Sequence, residues 1–180
     1  MTFLTESQLR RKSGLNETRT AQKFQRSIPL YGQTRVFLSH SHEDRDLVIG
    51  LINIWIEDGL NVYVDWQDTT MPPTTNRETA EKIKDNIASN DLLVVLATKN
   101  ALTSLWVPWE IGVADQVKGP ERVYIVPIVN ANEVATGREY FDLYGRMELD
   151  RHGRLEIIKA GFKFLGVDAR TVFNAAASNR

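Results

Sequence analysis

The stretch Val36-Phe37-Leu38-Ser39-His40-Ser41-His42-Glu43-Asp44 decides the fold of this chain. An apolar triplet breaks into a polar run. From Val48, the residues Leu51, Ile52, Trp55 and Ile56 then recur at i+3, i+4, i+7 and i+8. That spacing predicts an amphipathic helix, closed by Asp58-Gly59. Asn61-Val62-Tyr63-Val64-Asp65 follows as a second strand. Further outward the alternation repeats. Ala80, Ile83 and Ile87 form a helical stripe, and Leu92 to Leu96 is an unbroken apolar run, the pattern of a central parallel strand covered on both faces. Ile111, Ala114 and Val117 predict a third helix, capped by Thr103 or Ser104, with Pro108 in its first turn and Lys118-Gly119-Pro120 as its stop. Val123 to Val129 is another buried strand, with Pro127 expected at its end because a mid-sheet proline removes a ladder bond. Arg146 to Leu149 reads as a short edge strand, and Leu155, Ile158, Phe162 and Leu165 as a final helix. Parallel strands joined by right-handed helical crossovers give an α/β, flavodoxin-like doubly wound parallel five-stranded sheet of order 2-1-3-4-5.

Composition bounds what such a chain does. Its 180 residues are 42% hydrophobic and 25% charged, enough apolar material for one real core. The absence of cysteine excludes a disulfide framework, a thiolate zinc site, an iron–sulfur cluster and a cysteine nucleophile. No stretch approaches the ~20 apolar residues of a membrane span, and the first residues lack the pattern of a secretory signal. A cytoplasmic protein that does not engage membranes is expected. The net charge of −1 argues against nucleic acid as a partner. Charge is uneven, however. Arg10, Arg11, Lys12, Arg19, Lys23 and Arg26 face only Glu6 and Glu17 in the first thirty residues. Residues 1–33 therefore read as a basic, loosely helical arm that is either solvated or docks an acidic partner. Residues 34–170 read as the domain and 171–180 as a frayed tail.

In doubly wound sheets, ligands sit at the carboxyl ends of the strands near the point where strand order reverses. Three segments fall there. The first is Ser39-His40-Ser41-His42-Glu43-Asp44. His40 and His42 share a face if the run is extended, but Arg45 stands where a His-x-His-x-Asp metal pattern needs another histidine, and only His152 remains elsewhere. The run either caps the following helix or lines a pocket facing a phosphate or ribose. Neither glycine-rich phosphate-loop pattern occurs, which argues against a dehydrogenase or a P-loop enzyme. The second segment is Asp65-Trp66-Gln67-Asp68, leading into a loop with Pro72-Pro73; Trp66 either stacks on a planar base or packs the loop onto the body. The third is Trp106-Val107-Pro108-Trp109-Glu110, where Trp106 and Glu110 share a helix face as i and i+4. This pair is either a surface glutamate beside a core tryptophan or a carboxylate set in a partly apolar wall.

Taken together, these three segments, in this order and each on its own element, resemble a bacterial TIR (Toll/interleukin-1 receptor) domain over about residues 34–130. TIR domains divide into signalling adaptors and enzymes that cleave NAD+. The late Phe-Trp motif of animal receptor TIR domains is absent here. The chain is similar to the TIR subunits of bacterial anti-phage systems such as Thoeris. The resemblance implies a catalytic glutamate at Glu110, with Trp106 before it. It places Ser39, His40 and Ser41 in the loop after the first strand, with Asp65 and Trp66 at the start of a second loop, all contributing to substrate binding. NAD+ is then the substrate; no metal or other cofactor is implied. Self-association and a downstream effector sensing the product are the implied partners. Two readings compete with this one: a non-catalytic TIR interaction module, and another enzyme of N-glycosidic bonds, such as a nucleoside ribosyl-transfer enzyme.

Overall fold

A computed structural model of the chain describes residues 2–14, 32–60, 62–65, 76–130, 134–140, 142–163 and 165–178. Five strands carry the expected pattern: β2 (Thr34–Ser39), β3 (Val62–Asp65), β4 (Leu92–Ala97), β5 (Val123–Val129) and β6 (Gly145–Leu149). They lie parallel in the order β3-β2-β4-β5-β6, which is the expected 2-1-3-4-5 winding. The sheet is larger than five: eight strands join it among the described residues. β1 (Leu4–Thr5) joins β5 in parallel, and β7 (Leu155–Ile158) and β8 (Gly166–Asp168) extend the β6 side antiparallel.

Side chains alternate across this sheet, and the alternation sorts them into two cores. Val36 and Leu38 of β2 and Leu92, Val94 and Leu96 of β4 enter one core. Phe37 of β2 and Leu93, Val95 and Ala97 of β4 enter the other. The first core is closed by α1 (Glu6–Gly14), α2 (Arg45–Glu57) and α6 (Ala169–Ser178). The second is closed by α3 (Arg77–Ser89), α4 (Lys99–Thr103) and α5 (Val107–Lys118). A continuous apolar run in β4 is thus the direct consequence of helices on both faces.

Five expectations need correction. Residues 2–14 are not a detached arm: Leu4 and Leu9 are fully buried, and α1 crosses α2 so closely that a Cβ at Gly50 would lie 2.1 Å from the Leu9 carbonyl oxygen. One leucine per helix face carries no visible periodicity, so the basic residues around Leu9 masked it. The rest of the expected arm up to residue 31 lies outside the described residues. The expected final helix over Leu155–Leu165 is instead β7 and its turn. Asp150 Oδ1 accepts from the backbone N–H groups of His152 (2.7 Å) and Arg154 (2.9 Å), and Gly153 at φ 76° completes a hairpin turn that sends the chain back along β6. β6 is therefore interior rather than an edge. The expected frayed tail is α6: Phe173 is buried, its ring meets Trp55 edge-on at 6.0 Å, and its carbonyl accepts from Thr34 Oγ1 at 2.6 Å. Pro127 is not at the end of β5 but two residues before it. It falls between Ile125, the last residue paired to β6, and Ile128, the first paired to β1, where the ladder on that side changes strand.

Leu9→Ala leaves a cavity that the α1–α2 crossing cannot close, at a cost of about 2–5 kcal/mol. Chemical denaturation of the variant is expected to show that loss, with the α1 amides losing protection from hydrogen exchange. Unchanged stability would restore the solvated-arm reading.

Candidate active site

The alternation that places Phe37 in the second core also aims Ser39, two residues on, at the same face, where α5 packs. On α5 the buried residues are Val107, Glu110, Ile111 and Ala114, a helical stripe in which three members are apolar and one is a carboxylic acid. The two polar intruders meet. Ser39 Oγ donates to Glu110 Oε2 at 2.5 Å, with Ser39 1% exposed and Glu110 4% exposed.

Electrostatics at Glu110 are set by a contest. Burial strips water from the carboxylate and raises its pKa. The Ser39 hydroxyl and the first turn of α5 both favour the ionised form. Burial wins, and the pKa is pushed up from 4.5 to about 7. Glu110 is a carboxyl group poised to exchange a proton near neutral pH, in surroundings where its charge acts with little screening.

The loop after β2 is shaped by its own polar residues. His40 Nδ1 lies 2.7 Å from the Leu38 carbonyl oxygen, which only accepts, so Nδ1 carries the proton and Nε2 is left as an acceptor. Burial holds the His40 pKa below its usual value and keeps the ring neutral, against the opposing pull of that carbonyl and of Asp44. Ser41 caps a short 3-10 turn over His42–Asp44, its Oγ accepting from Glu43 N at 3.4 Å. Asp44 is buried and reaches sideways. Thr98 Oγ1 donates to its Oδ2, and Asn100 Nδ2 donates to its Oδ1 at 2.9 Å. Thr98 in turn caps α4, accepting from Ala101 N at 3.0 Å. These bonds tie the loop after β2 to the loop after β4, the two that flank the Ser39–Glu110 contact.

The sequence placed Asp44 in a run that caps the following helix or lines a pocket, and Thr98 and Asn100 in the segment at the carboxyl end of the third expected strand, but it singled out neither the Asp44–Thr98 nor the Asp44–Asn100 bond. An Asp closing a polar run just before a helix reads as an N-cap, yet here its side chain makes no cap bond to α2.

The remaining expected residues divide. Trp106 is the N-cap residue of α5, and its carbonyl accepts from Glu110 N at 2.8 Å. Its half-buried ring packs on the second core and meets Trp109 edge-on at 5.5 Å. Asp65 ends β3 in register with Phe37, two residues short of Ser39 on the neighbouring strand. Trp66 and Pro72-Pro73 lie outside the described residues. Among the described residues no group of three or more His, Asp or Glu side chains is placed to hold a metal ion, and no helix is long and apolar enough to cross a membrane.

Comparison with known proteins bears on this arrangement. A relative from Bacillus cereus (strain MSX-D12), named probable 3' cyclic ADP-D-ribose synthase ThsB', is 34% identical over 113 residues, covering 61% of this chain. The match spans 58% of that relative's own length. A family description of the TIR domain matches residues 36–156, which runs from the third residue of β2 to the second residue of β7 and includes Ser39 and Glu110. The chain belongs to the TIR domain family.

Proposed function

We propose that the chain cleaves the nicotinamide–ribose bond of NAD+ and closes the ADP-ribose fragment into a cyclic ADP-ribose isomer, as a signal in bacterial anti-phage defence. The observation that carries this reading is the burial of Glu110 against Ser39 at the carboxyl end of the sheet. The similarity to a protein named as a cyclic ADP-ribose synthase supports it.

The chemistry asks for one carboxylate. The bond between ribose C1' and the pyridinium nitrogen breaks with its electron pair going to nitrogen, so nicotinamide departs neutral from a cation. No acid is needed to protonate it, unlike the leaving group of an ordinary glycoside. Positive charge grows on the ribose instead. An ionised Glu110 in poorly screened surroundings stabilises that charge, as fixed dipoles stabilise other transition states. Capture by a ribose hydroxyl elsewhere in the same molecule forms a new C1'–O bond and releases one proton, which Glu110 or His40 Nε2 takes up. Capture by water would give linear ADP-ribose. Ser39 holds the carboxylate in place, and Trp106 at the head of α5 helps keep water from the cation. Self-association of the chain and a product-sensing effector complete the proposal.

The active form is the carboxylate, so its pKa sets the acid limb of the reaction. kcat/KM for nicotinamide release is expected to rise about tenfold per pH unit below about 7 and to level off above it. Chelators are expected to leave the rate unchanged. Glu110→Gln is expected to lower nicotinamide release by about 10²-fold or more. Cleavage at the wild-type rate would sink the assignment and leave an interaction module.

The stability of the same variant has a defined sign. The folded pKa of Glu110 lies above the ordinary 4.5, so the native state holds an extra proton between pH 4.5 and about 7. Its stabilising contribution is complete below that window and is lost as pH rises through it. Glutamine does not titrate. In thermal melts the variant is therefore expected to gain on wild type as pH rises from 4.5 to 7, by on the order of 3 kcal/mol. Ser39→Ala removes the donor that favours the charged form, and the acid limb of the rate is expected to move up by about one pH unit.

A further inference from the structure

The opposite end of the sheet carries a polar recess of about 520 Å³ at the amino-terminal edge of the strands. Arg35 of β2 lines it, with the turn that leads into β4 and the residues between α5 and β5. Arg35 lies four residues before Ser39 on an extended strand, about 13 Å from the Glu110 site. The recess is therefore separate from that site, and its test is independent of the NAD+ reading.

Three cations converge there, and their donors are not all used. The Arg35 backbone N–H donates to Asp91 Oδ2 at 2.7 Å, and the side-chain Nη1 makes a long bond of 3.3 Å to the Ser89 carbonyl. Its Nε is buried without a partner. A buried guanidinium nitrogen left unpaired carries the full cost of lost hydration. Lys118 Nζ donates to the carbonyls of Asn90 and Ala88. Burial and the neighbouring Arg122 hold the Lys118 pKa below its usual value, against the opposing pull of Asp91, which marks positive charge only partly compensated. The Arg122 guanidinium makes no hydrogen bond or ion pair among the described residues. The one further carboxylate in the wall, Glu121, folds back over Gly119, where a Cβ would lie 2.6 Å from its Oε2.

Two guanidinium groups, one with an unpartnered Nε and one with no hydrogen bond among the described residues, line one concave wall together with a lysine, a set of donors suited to the oxygens of a phosphate group. The volume falls in the range of small-molecule sites. We infer that this recess binds a phosphorylated small molecule, its phosphate held between Arg35 and Arg122 with Lys118 adding charge.

The test is an NMR titration of the full chain with inorganic phosphate and, separately, with AMP at matched ionic strength. Both ligands are expected to shift the Arg35 Nε–H resonance and the amides of residues 89–91 and 118–122, with AMP binding the tighter. Arg122→Ala, which breaks no bond of the fold, is expected to weaken binding at least about tenfold, while Arg122→Lys restores it only in part. Glu110→Gln is expected to leave the titration unchanged, which separates this inference from the fate of the catalytic reading. Shifts absent from these residues, or equal in wild type and Arg122→Ala, would overturn it. AMP binding no tighter than inorganic phosphate would overturn the assignment to an organic ligand.

Discussion

A single hydrogen bond between Ser39 and Glu110 organises the carboxyl end of this sheet. An acid on the apolar stripe of a helix that packs on a sheet is costly to ionise. One hydroxyl from the strand beneath offsets part of that cost. The residual imbalance is what places the carboxyl near neutrality. Had the stripe carried a leucine at position 110, the packing would be ordinary and no titratable group would face Ser39. Had Glu110 faced solvent, its charge would be screened and its pKa ordinary. The raised pKa of Glu110 therefore comes from a mismatch between residue and environment that the rest of the fold is stable enough to hold.

Holding it needs rigidity on both sides of the contact. Ser39 is fixed because β2 lies between β3 and β4, so the strand cannot slip without turning every side chain to the wrong core. Glu110 is fixed because Val107, Ile111 and Ala114 anchor the same stripe. Asp44, bonded to Thr98 and Asn100, joins the two loops that frame the pair. None of these residues touches a reacting atom in the proposed reaction. They set the distance across which the one reacting carboxyl works, and small errors in such distances cost rate steeply.

Legibility in the sequence followed the strength of local signals. β2 to β5 and the helices α2, α3 and α5 between them were readable because two-sided burial makes unbroken apolar runs and helical burial makes stripes; the short α4 carries no stripe and was not. The strand order followed from handedness and connection rules rather than from any residue. The periphery was not readable. α1 holds its place through one leucine, a glycine contact in a partner helix, and the polar ties of Lys12 to Asn53 and Glu57, none of which is periodic. Leu155, Ile158, Phe162 and Leu165 do lie at helical spacing, but the Asp150–Gly153 turn overrode it by committing the chain to a hairpin. At the site, the resemblance pointed to Ser39 and Glu110. Their contact was also implicit in the alternation of Phe37 with Ser39 and the stripe of Val107, Glu110, Ile111 and Ala114. The Asp44 bridge was hidden, because a side chain that spans two loops leaves no pattern in either.

On the proposed reading, burial of Glu110 also bears on product. A ribose cation partitions between whatever nucleophiles are near, and bulk water is the most abundant of them. A carboxyl only 4% exposed lies where few waters reach, so the cation forms in a place depleted of its commonest captor. An internal hydroxyl of the same molecule is present at high effective concentration and loses little entropy on attack. The same desolvation that pushes the Glu110 pKa to about 7 thus favours ring closure over hydrolysis. Catalysis and product choice become two consequences of one buried charge. A change that lets water in, such as a smaller residue in place of Trp106 at the head of α5, then acts on both at once, returning the acid toward its ordinary pKa and the product toward linear ADP-ribose.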